Sequence, residues 1–545
     1  MADAPRSSDP MQWPAQALGA VGRRMGREWR AGPVHQLAIS GPRPRGLAIR
    51  PRDPRPSDAA RGAQLVAGVF SCGGETLEAG VGGDPWRRPS PSRRFAAWLH
   101  GFAWAPDLIA AGEGGARETL RLWLEWRRIF GHFNAFAWSG QALERRVFNL
   151  ACAAPALIPL ASEAEGAALV DGLARQARHL LADDEDPGRA AERAAVAALA
   201  GSALAGKAGD RLLGRSLLKL ARAAPEAVLR DGAHASRSPE RGLELLFDLL
   251  ALDDALSQRG APAPLDVARS IDRLSAATRF FALPDGRLPA FNGGEPAAPA
   301  RVATALALEA AATAPGKSLP YGRFHRLDGP SLQLVADTGV AGHAPWNATA
   351  CAQIGAVEVV CDGRRRLIVG SAWSDGALAD PAKRGPAGGS CLSMAGAWPD
   401  PVEVNADRQE GDGAVWLDVA HDGWRRGFGL TCTRRLYLDT RLNELRGEDV
   451  LALAARPRRG DASFEIRFHL APEVAASLAV DGRSALLRPA GGPGWRLRGD
   501  AAMRLEPGTV FEAGEARATE MLVLTGVVSL AIGARVRWKL SRDEG

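Results

Sequence analysis

The order of apolar and polar positions changes character twice along the chain. Residues 34 to 92 carry short apolar runs broken by Pro, Arg and Gly, as in Pro51-Arg52-Asp53-Pro54-Arg55-Pro56 and Gly82-Gly83-Asp84-Pro85, and read as an extended leading segment. From about Phe95 a helical period takes over and predicts helices over 95–112, 116–131, 141–158, 163–182, 188–204, 208–223, 239–258, 264–281 and 300–313. Consecutive helices of similar length with short connections pack as antiparallel hairpins, and enough hairpins set in a ring make an α/α toroid. Beyond Leu319 the pattern turns to strand-length runs: 331–336, 356–360, 366–369, 415–419, 434–438, 464–468 and 519–524, bounded by Gly, Asp and Pro. The expected fold is α+β in two domains, an N-terminal α/α toroid (an incomplete helical barrel) followed by a C-terminal antiparallel β-sandwich. The boundaries are an extension over 1–92, the toroid over 93–317 and the sandwich over 318–545. Sites commonly form where two such domains meet.

Composition narrows the function classes. A chain of 545 residues with 46% apolar content can fill two or more cores, because single cores stop growing at about 250–300 residues. The net charge of +6, from 68 basic and 62 acidic residues, is spread along the chain, and no basic run is interleaved with aromatics. That argues against a nucleic-acid arm and suits a polyanionic small molecule or polysaccharide. Six cysteines without C-x-x-C spacing read as free thiols in a reducing compartment. The start holds no apolar run of signal-peptide length, and no window reaches about 18 uninterrupted apolar residues, so no transmembrane segment and a cytoplasmic protein are expected. A periplasmic or envelope-associated location is the alternative. Ala17 to Trp29 reads either as a basic amphipathic helix lying on a membrane or partner, or as a solvated leading helix. Nothing matches a phosphate-binding loop, a dinucleotide fingerprint, a nucleophile elbow or a zinc cluster, so no cofactor and no metal are expected.

The stretch richest in chemistry is Asp231-Gly232-Ala233-His234-Ala235-Ser236-Arg237-Ser238-Pro239, a polar turn between two helical segments. His234 and Arg237 stand just before a predicted helix N-terminus, where free N–H groups and a guanidinium suit a carboxylate or sulfate. The other reading is a turn in which Ser236 or Ser238 simply caps the helix. Trp98, Trp104, Trp123, Trp126 and Trp138 either stack on sugars or fill a core.

Several motifs together carry a family resemblance: Trp98-Leu99-His100-Gly101-Phe102, the 231–239 turn, Pro284-Asp285-Gly286, Phe291-Asn292-Gly293, His421-Asp422-Gly423-Trp424, Arg434-Arg435-Leu436-Tyr437-Leu438, Leu445-Arg446-Gly447-Glu448-Asp449 and Arg467-Phe468-His469-Leu470. In this order the chain resembles the heparinase II/III-like polysaccharide lyases. The resemblance implies an acidic polysaccharide held between toroid and sandwich and cleaved by β-elimination at a uronic acid. That reaction needs a group to neutralise the C5 carboxylate, a base for the C5 proton and an acid for the departing O4. The resemblance gives the first role to His234, with Arg237 beside it.

The family's base and acid, a helical-domain Tyr and a His at the start of the β domain, are not found at their places. The stretch Trp346 to Ala352 holds no His, and the chain has only two tyrosines, Tyr321 and Tyr437. Tyr321 and His325, nearest the domain junction, are the substitute catalytic candidates. Asn292, His343 and His469 join Arg237 as candidate substrate contacts. Two functions remain open: a lyase acting on a uronate-containing polymer, or a catalytically degenerate relative that binds or helps assemble an envelope acidic polysaccharide.

Overall fold

The computed structural model describes residues 32–543 apart from 139, 309–313, 376–379, 401 and 455; the Ala17–Trp29 segment lies outside the described residues. The leading segment is less extended than its sequence suggests. It holds α1 (Pro33–Ser40), α2 (Ala59–Val66) and a hairpin of β1 (Val69–Cys72) with β2 (Glu75–Glu78). Pro33 sits at a helix start, where a missing N–H costs nothing, and Asp58 caps α2 by accepting the Ala60 and Arg61 amides. Gly73 and Gly74, at φ 59° and 76°, make the two-residue turn of the hairpin.

The helix expected over 95–112 is two, α3 (Arg93–His100) and α4 (Ala105–Ala110). Gly101 ends the first, Phe102 turns the chain at φ 55°, and Pro106 lies in the first turn of the second. The layer continues through α5 (Glu113–Phe130), α6 (Gly140–Leu157), α7 (Glu163–Ala182), α8 (Ala190–Ala203), α9 (Lys207–Ala227), α10 (Pro239–Gln258), α11 (Leu265–Phe281) and α12 (Pro299–Ala307). Alanine-rich α8 is buried nearly end to end and packs against α6, α7, α9 and α10; its small side chains let four neighbours approach. The helices form an incomplete toroid, with no closed barrel. Trp104, Trp123, Trp126 and Trp138 are buried in its core, which settles their reading as packing residues.

The C-terminal half is two facing antiparallel sheets. One runs in spatial order β14 (Val474–Leu478), β15 (Ser484–Pro489), β16 (Trp495–Gly499), β19 (Ala534–Arg542), β12 (Glu444–Leu453), β11 (Leu430–Asp439), β10 (Ala414–His421) and β9 (Val404–Gly411). The other runs β17 (Ala502–Glu512), β18 (Glu515–Ser529), β13 (Asp461–Leu470), β7 (Arg365–Val369), β6 (Val357–Cys361), β5 (Leu332–Asp337), β4 (Phe324–Asp328) and β3 (Ser318–Leu319), with β8 (Leu392–Met394) also paired to β13.

Alternating inward positions such as Leu417, Leu436, Leu445 and Leu540 meet Leu334, Val359, Ile368, Ile466 and Leu524 in one shared core. A polar pin crosses that core. Arg434 donates to Asp449 at 2.7 and 3.1 Å and to the carbonyls of Gly355 and Ser390 at 2.9 and 3.0 Å, so strand β11 is tied to the opposite layer. The Trp538 indole N–H adds a third donor to Asp449 at 3.1 Å. Position 447 must be glycine for this packing, since a Cβ there would lie 2.0 Å from the Trp538 ring.

The two domains clasp at the tip of the β17–β18 hairpin. The Gly514 amide donates to Glu295 at 2.6 Å, and the Gly514 carbonyl accepts from Arg94 at 2.5 Å. Nearby, Arg366 pairs with Asp285 at 2.9 Å and Arg287 with Glu512.

Candidate functional site

The 231–239 turn lies where the toroid meets strands β4 and β5, and Asp231 anchors it. One Asp231 oxygen accepts the Tyr321 and Gly322 amides at 2.6 and 2.8 Å, fastening the turn to the chain entering the sandwich. Ser238 caps α10 by accepting the Arg241 amide at 3.4 Å, and Pro239 follows at the first helical position. The start of α10 is covered by the chain itself: Glu240 accepts the Glu295 amide at 2.8 Å.

His234 and Arg237 are both buried; Arg237 is paired with Asp337, and His234 lies near Glu192, whose own partner is Arg241. The His234 side chain is 0% exposed, with Glu192 3.8 Å from Nε2. Its Nδ1 faces the Ser236 hydroxyl at 2.8 Å and accepts the Ser236 amide at 3.1 Å, so the neutral ring carries its proton on Nε2, where it finds no hydrogen-bond partner. Burial, reinforced by Arg241, pushes its pKa down to about 3. Glu192 stays ionised because Arg241, 3.0 Å away, and Arg189 outweigh the cost of burial.

Arg237, at φ 62°, donates to the carbonyls of Gly322 and Val340 at 3.0 and 2.6 Å and forms an ion pair with Asp337 at the end of β5. Asn292 completes the knot: Nδ2 reaches the Arg237 carbonyl and Asp337, both at 3.2 Å, while Oδ1 accepts the Cys351 amide at 3.2 Å. Behind it a ladder of alternating charge continues into the toroid, from Arg189 to Glu144 at 2.7 Å, Glu144 to Arg145 at 3.0 Å, and Asp248 to Arg55 at 2.7 Å.

The structure bonds Asn292 to Arg237 in the turn that also carries His234; Tyr321 adjoins the turn through its backbone, and the His325, His343 and His469 side chains make no hydrogen bond to it among the described residues. Tyr321 lies in the β3–β4 turn, 52% exposed, with its hydroxyl 3.4 Å from Arg230. His325 alternates with Phe324 along β4; Phe324 packs on Phe281 and Phe291, so His325 faces the other side of the sheet, near Arg408. Tyr321 and His325 therefore do not form a pair aimed at the turn. His343 is exposed, with Nδ1 2.9 Å from the Ala344 carbonyl. His469 is buried in β13, its Nε2 3.2 Å from the Ala387 carbonyl.

Reading the sequence missed Glu192, Arg241 and Asp337. Arg241 had a signal, since it falls four residues beyond Arg237 at a helix start. Glu192 had a weaker one: a carboxylate in an otherwise alanine-rich helix needs a cation.

Burial of neutral imidazoles gives the stability a defined acid limb. His100, His325, His421 and His469 are pushed down to about 4, and His234 to about 3, from an ordinary value of 6.5. Below pH 6.5 the unfolded chain therefore binds more protons than the native one, and lowering the pH favours unfolding. The melting temperature should fall as pH drops from about 6.5 to 4, and a His234→Gln/His469→Gln variant should show a flatter limb. Parallel limbs in variant and parent would refute the assignment.

An incomplete helical toroid leading into a two-sheet antiparallel sandwich, with an Asp-Gly-x-His turn at their junction, defines a polysaccharide-lyase-like class of fold. Residues 311–539 match the family model described as Heparinase II/III-like, C-terminal. The chain is 46% identical to FtsZ-localized protein C of Caulobacter vibrioides (strain NA1000 / CB15N) over 558 aligned residues, covering 98% of this chain and 96% of that one. Among solved structures, heparinase III superposes with a TM-score of 0.68 at 13% identity, covering 85% of this chain and 79% of that one. The heparan sulfate lyase HepC mutant from Pedobacter heparinus gives a TM-score of 0.60 at 14% identity, covering 91% and 86%. The chain belongs to the heparinase II/III-like family.

Proposed function

We propose that this chain is a non-cleaving member of its family, a scaffold that binds an acidic envelope polysaccharide or its precursor and keeps company with FtsZ. One observation carries the loss of chemistry: the imidazole and guanidinium of the turn are buried against Glu192 and Asp337 of the chain itself. A uronate carboxylate would have to displace Asp337 from Arg237 in a dry site, which costs more than the new contact returns, and the neutral, buried His234 offers it no charge. Proton transfer is equally unsupported, because Tyr321 is half-exposed with its hydroxyl beside Arg230, His325 faces the other side of the sheet, and the 346–352 stretch holds no imidazole.

The company of FtsZ is extended to this chain from its 46% identical relative, FtsZ-localized protein C. A cytoplasmic location fits the six cysteines, which are all free thiols.

Incubated with polygalacturonate or heparan sulfate across pH about 6 to 9, the protein should yield no ultraviolet-absorbing unsaturated uronate, while co-sedimenting with FtsZ polymers. Steady accumulation of unsaturated product would restore the lyase reading and overturn this one.

A further inference from the structure

The solvent face of the eight-stranded sheet carries a straight row of side chains drawn from five neighbouring strands. Trp416 on β10 stands opposite Tyr437 on β11, Tyr437 opposite Arg446 on β12, Arg446 opposite Lys539 on β19, and Lys539 opposite Arg498 on β16. The residues on either side of each point inward: Leu417, Leu436, Leu438, Leu445, Trp538, Leu540 and Leu497 are all core. The alternation of each strand thus delivers all five outward. At the usual strand spacing of about 4.8 Å the row is about 19 Å long, enough to lie along several sugar rings.

Its chemistry is graded from end to end. Trp416 is 38% exposed, an unusual position for an indole, and its ring lies 5.2 Å from that of Tyr437. Arg446 lies against Tyr437, 5.2 Å from the ring centroid. Arg446 and Lys539 share the single carboxylate of Glu444, and Arg498 makes no ion pair among the described residues. One row away, Arg435, Arg535 and Arg537 converge on Glu448, with Asp418 also reaching Arg435. Five cations thus share three carboxylates beside an aromatic platform, and Arg498 stands as a sixth cation outside these pairs.

We propose that this face is a binding site for an acidic polysaccharide, with sugar faces on Trp416 and Tyr437 and carboxylate or sulfate groups on Arg446, Lys539 and Arg498. The site lies on the outside of the sandwich, away from the 231–239 turn, and rests on the reading of the protein as a glycan-binding scaffold. Flat aromatic side chains suit the apolar faces of sugar rings, and guanidinium groups suit planar anions. The partial neutralisation by Glu444 and Glu448 keeps the cations ordered without cancelling them.

The test is titration of the full chain with polygalacturonate and heparan sulfate, with neutral dextran, poly-glutamate and single-stranded DNA as comparison polymers. Both uronate polymers should bind, more weakly as salt rises, while dextran should not. Trp416→Ala/Tyr437→Ala and Arg446→Gln/Arg498→Gln should each lower affinity about tenfold, the order expected for charge-assisted contacts. Arg498→Gln alone breaks no internal ion pair, so it reads the site even where a double variant folds poorly. If the wild-type chain binds a uronate polymer and Arg498→Gln and the double variants bind equally well, the sheet-face site is wrong and the scaffold reading stands. If it binds no uronate polymer, both fall. Tighter binding of poly-glutamate or DNA than of either glycan also overturns the site.

Discussion

Arg237→Ala should destabilise the protein by roughly 3–5 kcal/mol, the usual cost of leaving one member of a buried ion pair without its partner. The orphan would be Asp337, which keeps only the Gly339 amide at 2.9 Å and the Asn292 amide at 3.2 Å, neither of them charged. Asp337→Ala should cost about as much, stranding Arg237 over the Phe324 ring, 5.0 Å from its centroid. Because the two losses remove one interaction, the double variant should cost far less than their sum. Denaturant unfolding of the three variants checks this. A change below about 1 kcal/mol for Arg237→Ala would return that residue to the pool of ligand-binding groups.

The sandwich has its own weak point at Asp449. This carboxylate receives two bonds from Arg434 and one from the Trp538 indole, all inside the core between the sheets. Asp449→Ala leaves the Arg434 charge buried with only the carbonyls of Gly355 and Ser390, and strips the indole N–H of its acceptor. A loss of roughly 3–5 kcal/mol is expected. Asp449→Asn should recover part of it, because an amide oxygen still accepts from both donors. Equal losses for Ala and Asn would mean that packing, and not the polar pin, sets the stability here.

Much of the architecture was legible because long periodic segments report the face that is buried. The helices at 163–182 and 239–258 match α7 and α10 at both ends, where Ser162 and Ser238 provide caps that local sequence can show. The leading segment was harder to read, since its helices are only eight residues long and its prolines stand at helix starts or in connections. The site was half legible. The polar turn marked His234 and Arg237, and Asn292 was a separate candidate contact that the fold bonds to the Arg237 carbonyl and to Asp337. What the sequence could not show was that Glu192 and Asp337, 42 residues before His234 and 100 after Arg237, meet those side chains first. Partners so distant in sequence leave no periodic trace, and a cation that awaits a ligand looks the same in sequence as one already paired.

The clasp at Gly514 has a consequence for biosynthesis. Arg94 and Gly514 are 420 positions apart, and Glu295 and Gly514 are 219 apart. During translation the whole toroid emerges before the hairpin tip that seats on it exists. The helices, dominated by contacts between sequence neighbours, can order as they leave the ribosome, while the interface must wait for the second half of the sandwich. Until then the carboxylate of Glu295 and the guanidinium of Arg94, 3.5 Å apart in the finished fold, lack the Gly514 backbone groups that they bond.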